Sequence, residues 1–82
     1  MKITIYSTTT CPFCEMLKNF LEEKNITYTE KLVDQDAVAK EEMMVKSDGY
    51  LGVPFTVIAK DDGSEVKIVG FDKNLFNQSL GL

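Results

Sequence analysis

Histidine and tryptophan are absent from the 82 residues, cysteine and proline occur twice each, and basic side chains are outnumbered by acidic ones. Each shortage closes a class of function. Without histidine there is no imidazole base near neutral pH, which removes serine-histidine and cysteine-histidine hydrolases and histidine-ligated zinc sites. Two cysteines cannot complete a four-thiolate zinc site, and they are too few for a disulfide-dense secreted scaffold. Nine Lys and Arg against thirteen Asp and Glu leave a net charge of -4, which works against a nucleic acid held by phosphate contacts. Long apolar runs are missing too. The most apolar stretch, Tyr50 to Ala59, is too short to cross a bilayer and contains Pro54, and the opening Met1-Lys2-Ile3-Thr4-Ile5-Tyr6 lacks the apolar segment of a secretory signal. No nucleic-acid or membrane partner is expected, and the chain reads as cytoplasmic.

At 44% apolar and 27% charged residues the composition is that of a globular protein. The length allows one domain, residues 1–82, and a monomer is expected. A chain this short buries roughly 60 to 65% of the surface its unfolded form exposes. Its core is therefore thin and its active-site apparatus minimal. No repeat, linker or low-complexity tract divides it.

Lys2 to Tyr6 alternates isoleucine with polar residues and reads as a strand, followed by the polar run Ser7-Thr8-Thr9-Thr10 and then Cys11-Pro12. Proline suits the first position of a helix, where its missing amide hydrogen would have had no partner. Phe13, Met16, Leu17, Phe20 and Leu21 fall at helical spacing as one apolar stripe opposite Glu15, Lys18, Asn19, Glu22 and Glu23. Ile26 to Val33 reads as a second strand and Asp36 to Lys46 as a helix stopped by Ser47-Asp48-Gly49. Phe55 to Ala59 and Glu65 to Val69 flank the turn Asp61-Asp62-Gly63-Ser64 as a hairpin, and Asp72 caps a last helix whose inner face holds Leu75, Phe76, Ser79 and Leu80. This order predicts an α/β architecture, one mixed sheet with helices packed on its faces.

Cys11 and Cys14 stand three apart at the helix start, where Cα atoms lie about 5 Å apart, within disulfide reach. As a structural staple so small a ring contributes only roughly 2 kcal/mol before strain. Reducing cytoplasm would also keep it open. The chemistry that fits is thiol-disulfide exchange, in which one thiolate attacks a substrate disulfide and a second thiol resolves the mixed disulfide. Cys11 lies at the cap, where unpaired amides and the positive end of the helix favour an anion, and Cys14 lies one turn inward beside the apolar stripe. Cys11 is thus the nucleophile and Cys14 the resolving thiol. Bringing a thiol from about 8.5 to about 7 raises its thiolate fraction at neutral pH from ~3% to ~50% and needs roughly 2 kcal/mol, the upper end of a helix-terminus effect. The net negative charge and Glu15 oppose that shift. Phe13 belongs by phase to the buried stripe, while its place between the cysteines equally suits an apolar rim that receives substrate. Met43 and Met44 read as core filler, with no metal expected.

Cys11-Pro12-Phe13-Cys14 after a strand, followed by Gly52-Val53-Pro54-Phe55 and Gly70-Phe71-Asp72, resembles the dithiol glutaredoxins of the thioredoxin superfamily over essentially the whole chain. The resemblance implies a thioredoxin-like βαβαββα fold, a four-stranded mixed sheet flanked by three helices. It implies a cis Pro54 whose loop lies against the cysteines, with the Val53 backbone pairing with an incoming peptide or glutathione. Gly70, Phe71 and Asp72 take the place of the family's glutathione turn, and Pro12 and Phe13 complete the motif. Many glutathione-using members carry a lysine where this chain has Thr8 and a Gly-Gly pair where it has Gly70-Phe71. The Gly-Phe pair looks more like the glutaredoxin-like proteins reduced by a flavin-containing thioredoxin reductase, including hydrogen donors for ribonucleotide reductase, and like short bacterial glutaredoxin-like proteins. The activity implied is reduction of protein disulfides or glutathione mixed disulfides, with no permanently bound cofactor and with glutathione or a thioredoxin-reductase-type flavoenzyme as electron donor.

Two other readings use the same thiolates. A copper(I) carrier would clasp its ion between them, although Cys-Pro at a helix start does not suit such carriers. A monothiol-like scaffold holding an iron-sulfur cluster typically lacks the second cysteine or the proline.

Overall fold

Alternating isoleucines and a proline ahead of the first helical stripe organise the opening of the chain into β1 (Lys2–Ser7) and α1 (Pro12–Glu23). The computed structural model describes all residues, Met1–Leu82. It continues through β2 (Thr29–Leu32), α2 (Ala37–Lys46), β3 (Phe55–Ala59), β4 (Glu65–Val69) and α3 (Lys73–Leu80). The four strands form one sheet in the order β2-β1-β3-β4, parallel between β1 and β2 and antiparallel elsewhere. This is the expected mixed sheet with three helices.

Strand alternation divides the core between the two faces. Ile3 and Ile5 of β1 join Leu17, Phe20 and Leu21 of α1, Ile58, Ile68 and Phe76 of α3 in the larger cluster. Tyr6 points the other way and packs with Phe55, Val57 and Met43 of α2. The Thr56 hydroxyl is buried without a partner. Met43 is core filler as expected, whereas Met44 is exposed.

Three expectations need correction. The second strand starts at Thr29 rather than Ile26, because the chain first wraps the end of α1: Asn25 takes a positive φ of 57° and the Ile26 amide donates to the Leu21 carbonyl at 2.9 Å. Ile26 and Tyr28 therefore reach the core from a turn. Within the α1 stripe, Phe13 is 61% and Met16 50% exposed. The helix rests on the sheet along Cys14, Leu17, Phe20 and Leu21, so the arc to which Phe13 and Met16 belong overhangs its edge. In α3 Phe76 is buried and Leu80 packs partly buried against the larger cluster, as expected, whereas Leu75 is 44% exposed.

Side-chain caps delimit the helices. Asp36 accepts from the Val38 and Ala39 amides at 3.0 and 3.3 Å, and Asp72 accepts from the Leu75 amide at 3.2 Å. Helix α2 ends as Ser47-Asp48-Gly49 predicts, with Gly49 at φ 89° donating to the Met44 carbonyl at 2.8 Å. In the hairpin turn, Asp62 accepts from both the amide and the hydroxyl of Ser64.

Candidate redox site

Strand direction gathers the candidate residues at one end of the sheet. In the antiparallel register Tyr6 lies opposite Phe55, and Phe55 opposite Val69. The end of β1, the start of β3 and the end of β4 thus share an edge, and the loops with Cys11, Pro54 and Gly70 all issue from it. The Gly70 amide donates to the Pro54 carbonyl at 2.8 Å, joining the last two loops. Gly70 holds φ 76°, a conformation that suits glycine. The Val53–Pro54 peptide is cis.

Cys11 is the N-cap of α1, in extended conformation, with Pro12 as the first helical residue. Its Sγ accepts from the Cys14 amide at 3.2 Å. The sulfur thereby occupies the position a serine or aspartate oxygen takes at ordinary caps and satisfies an amide with no intrahelical partner. Cys11 and Cys14 form a disulfide with Cα atoms 5.2 Å apart. Their environments differ: Cys14 is 1% exposed under α1, and Cys11 is half-buried. Pro12 and Phe13 are exposed on the same turn, so Phe13 lies outside the buried stripe to which its helical phase assigns it.

Chain-distant contacts that the sequence does not announce fix the loop before Cys11. The Thr9 amide and hydroxyl both donate to the Asp34 carboxylate, at 3.1 and 2.5 Å, and hold its carboxyl below the usual range. Ser7, fully buried, donates to Glu30 at 2.7 Å. Glu30 also pairs with Lys18 at 2.9 Å, and Lys18 pairs with Glu15 at 2.7 Å. Hydrogen bonds to Glu15 and Glu30 raise Lys18 above the ordinary lysine value. Burial pushes the Glu30 carboxyl up, but Lys18 and Ser7 outweigh it and hold it down. Tyr50 folds its ring across Gly52, two residues before Pro54, and a side chain there would have to displace that ring.

Phe71 stacks edge-on against Phe20 at 5.6 Å and packs against Phe76 at 6.3 Å, which anchors the Gly70 turn to α1 and α3. Asp72 is exposed and its carboxylate serves the α3 cap. A shallow depression of about 240 Å3 lies between Met16, Phe20, Phe71 and Lys73. The largest, about 490 Å3, lies on the α2 face among Tyr6, Lys31, Val38 and Val45. Neither cysteine lines a cavity. The sulfurs sit at an open edge.

Residues 3–62 match the family model for glutaredoxin. The chain belongs to the glutaredoxin family. It is 44% identical over 71 residues to a glutaredoxin-like 8.6 kDa protein in the rubredoxin operon of Clostridium pasteurianum, covering 87% of each chain. Among solved structures it is similar to the thioredoxin-like protein BC3987, with TM-score 0.76 and 35% identity over 94% of this chain and 97% of that one. It is likewise similar to the glutaredoxin-like NrdH-redoxin of Escherichia coli, with TM-score 0.75 and 27% identity over 95% and 93%. A thioredoxin-like fold with a cysteine pair at disulfide distance is what a thiol-disulfide oxidoreductase of this family requires. No helix is long and apolar enough to cross a membrane.

Proposed function

We propose that this glutaredoxin-family chain reduces disulfides in proteins, or mixed disulfides with glutathione, by cycling Cys11 and Cys14 between dithiol and disulfide. The observation that carries the reading is the Cys11 sulfur at the helix cap, accepting the Cys14 amide, with the buried Cys14 within bonding reach. The Cys11 thiolate attacks one substrate sulfur and the substrate S–S bond breaks, releasing a thiolate that takes up a proton. Cys14 then loses its proton and attacks the Cys11 sulfur. The second substrate sulfur leaves reduced, and the protein carries the Cys11–Cys14 disulfide. An external donor returns two electrons, so no bound cofactor enters the cycle. Pro12 and Phe13 shape the rim, and the Val53 backbone beside Pro54 receives the extended substrate chain. Gly70, Phe71 and Asp72 form the far wall. An open edge without an enclosing cavity suits a disulfide presented by another protein, and a reducing cytoplasm suits the direction of the cycle.

Of the two donors, a flavin-dependent thioredoxin reductase fits better than glutathione. Thr8 and Gly70-Phe71 stand where glutathione-using relatives have lysine and a Gly-Gly pair, and the Escherichia coli NrdH-redoxin, to which the chain is similar, is described by its thioredoxin-like activity profile. With one test disulfide, thioredoxin reductase and NADPH should support faster turnover than glutathione with its reductase. Faster turnover with glutathione would reverse the donor assignment. Tight copper(I) binding by the reduced chain with no exchange in either system would replace the oxidoreductase with a metal carrier.

A further inference from the structure

Lys18 stands one helical turn beyond Cys14, and α-helical side chains lean back toward the N-terminus, so its stem lies over the turn that holds the buried cysteine. It is the only basic residue of α1. Its ammonium reaches Glu15, the residue next to Cys14, and Glu30 on β2. Glu30 lies on the α1 side of the sheet, since it pairs with Ile5, whose side chain is in the α1 cluster. The fully buried Ser7 hydroxyl completes the array at the end of β1. A cation is thus drawn to the inner side of the helix beside a cysteine that must ionise while shielded from water. Burial by itself opposes that ionisation, and two carboxylates nearby would add to the opposition.

We propose that Lys18 is a positioning residue for the resolving step: it gathers the Glu15 and Glu30 carboxylates and sets positive charge one turn from Cys14, favouring the thiolate that attacks Cys11. The inference rests on the dithiol cycle proposed above. In the step concerned, the Cys14 proton passes to solvent, the Cys14 sulfur bonds to Cys11, the Cys11–substrate bond breaks, and the departing substrate thiolate takes a proton in return. The remaining charges at this end include Asp34, held by Thr9, Asp36 at the α2 cap, and Asp72 and Lys73 at the start of α3. The β1–α1 loop, residues 49–54 and β3 contribute none, Asp48 being the one charged residue between α2 and β3, and Lys31, Glu42 and Lys46 lie around Tyr6 on the opposite face.

The test uses the whole chain carrying Cys11→Ser, in which serine keeps a good cap and Cys14 is the only thiol. Its ionisation is followed by ultraviolet thiolate absorbance against pH. Adding Lys18→Met should lower the thiolate fraction at neutral pH about three- to tenfold, and adding Lys18→Arg should keep it within about twofold of the parent. Glu15→Gln, which leaves Lys18 in place, should raise the fraction. Loss of packing alone would not move the curve in opposite directions for the two charge changes. With both cysteines present, Lys18→Met should accumulate the Cys11 mixed disulfide, with the pH profile of its resolution moved upward. Coincident titration curves for Lys18→Met and parent, or movement in the same direction for Lys18→Met and Glu15→Gln, would overturn the inference. Failure of the unsubstituted chain to turn over any disulfide would instead overturn the dithiol cycle.

Discussion

Cys11→Ser should reduce turnover of every disulfide substrate by roughly a thousandfold or more, the scale expected when a nucleophile is removed from a group that acts as a unit. Serine retains the cap, so circular dichroism and melting should stay close to those of the parent. Cys14→Ser should divide the substrates. With a protein disulfide, the reaction stops at the Cys11 mixed disulfide, which accumulates as a mass adduct. With a glutathione mixed disulfide, glutathione from solution resolves the adduct, and turnover persists. The asymmetry follows from the two positions: one sulfur at the helix mouth, half-exposed, and the other beneath the helix and 1% exposed. Comparable residual activity in both single variants would mean the thiols are interchangeable, which the cap geometry does not permit.

Phe76→Ala should cost about 3 to 5 kcal/mol of stability, as large-to-small substitutions of fully buried aromatic residues do. A chain of this length has only about 4 to 12 kcal/mol in total. The substitution should therefore remove a large share of the folded population or abolish folding at elevated temperature. Phe76 is the sole buried side chain of α3 and meets both Phe20 and Phe71. Its loss would free Phe71 on one side and loosen the Gly70 turn that bonds to the Pro54 carbonyl. Urea denaturation measures the effect, with Leu75→Ala as the comparison. Leu75 is exposed, and its removal should change stability by less than about 1 kcal/mol. Equal losses in the two variants would refute the view that Phe76 is the main anchor of α3.

The sequence made the element order and the two sulfurs legible because those signals are local. Pro12 at the first helical position, isoleucine alternation in β1, the Asp62-Gly63 turn and the Asp72 cap each act within a few residues. The α1 stripe was legible only in part: helical phase groups Phe13 and Met16 with Leu17 and Phe20, but it carries no information on where the sheet beneath the helix ends. The same limit explains β2, since the spacing of Ile26 and Tyr28 satisfies a strand pattern while the residues come from the wrap that closes α1. The site's polar supports were not legible. Thr9 meets Asp34, and Ser7 and Lys18 meet Glu30, across two strands and a helix, contacts that only the sheet register brings about. Lys18 alone left a trace, its position four residues after Cys14. The resemblance placed Pro54 and Gly70-Phe71 near the cysteines, and the antiparallel register shows how the chain brings their loops to one edge.

Ionisation of the Cys11 thiol is the most direct test of the account. In the reduced chain carrying Cys14→Ser, leaving a single thiol at the helix mouth, iodoacetamide alkylation rates measured across pH report the thiolate population. The account predicts half-maximal reactivity well below the free-cysteine value of about 8.5. A curve centred at that free value would contradict it.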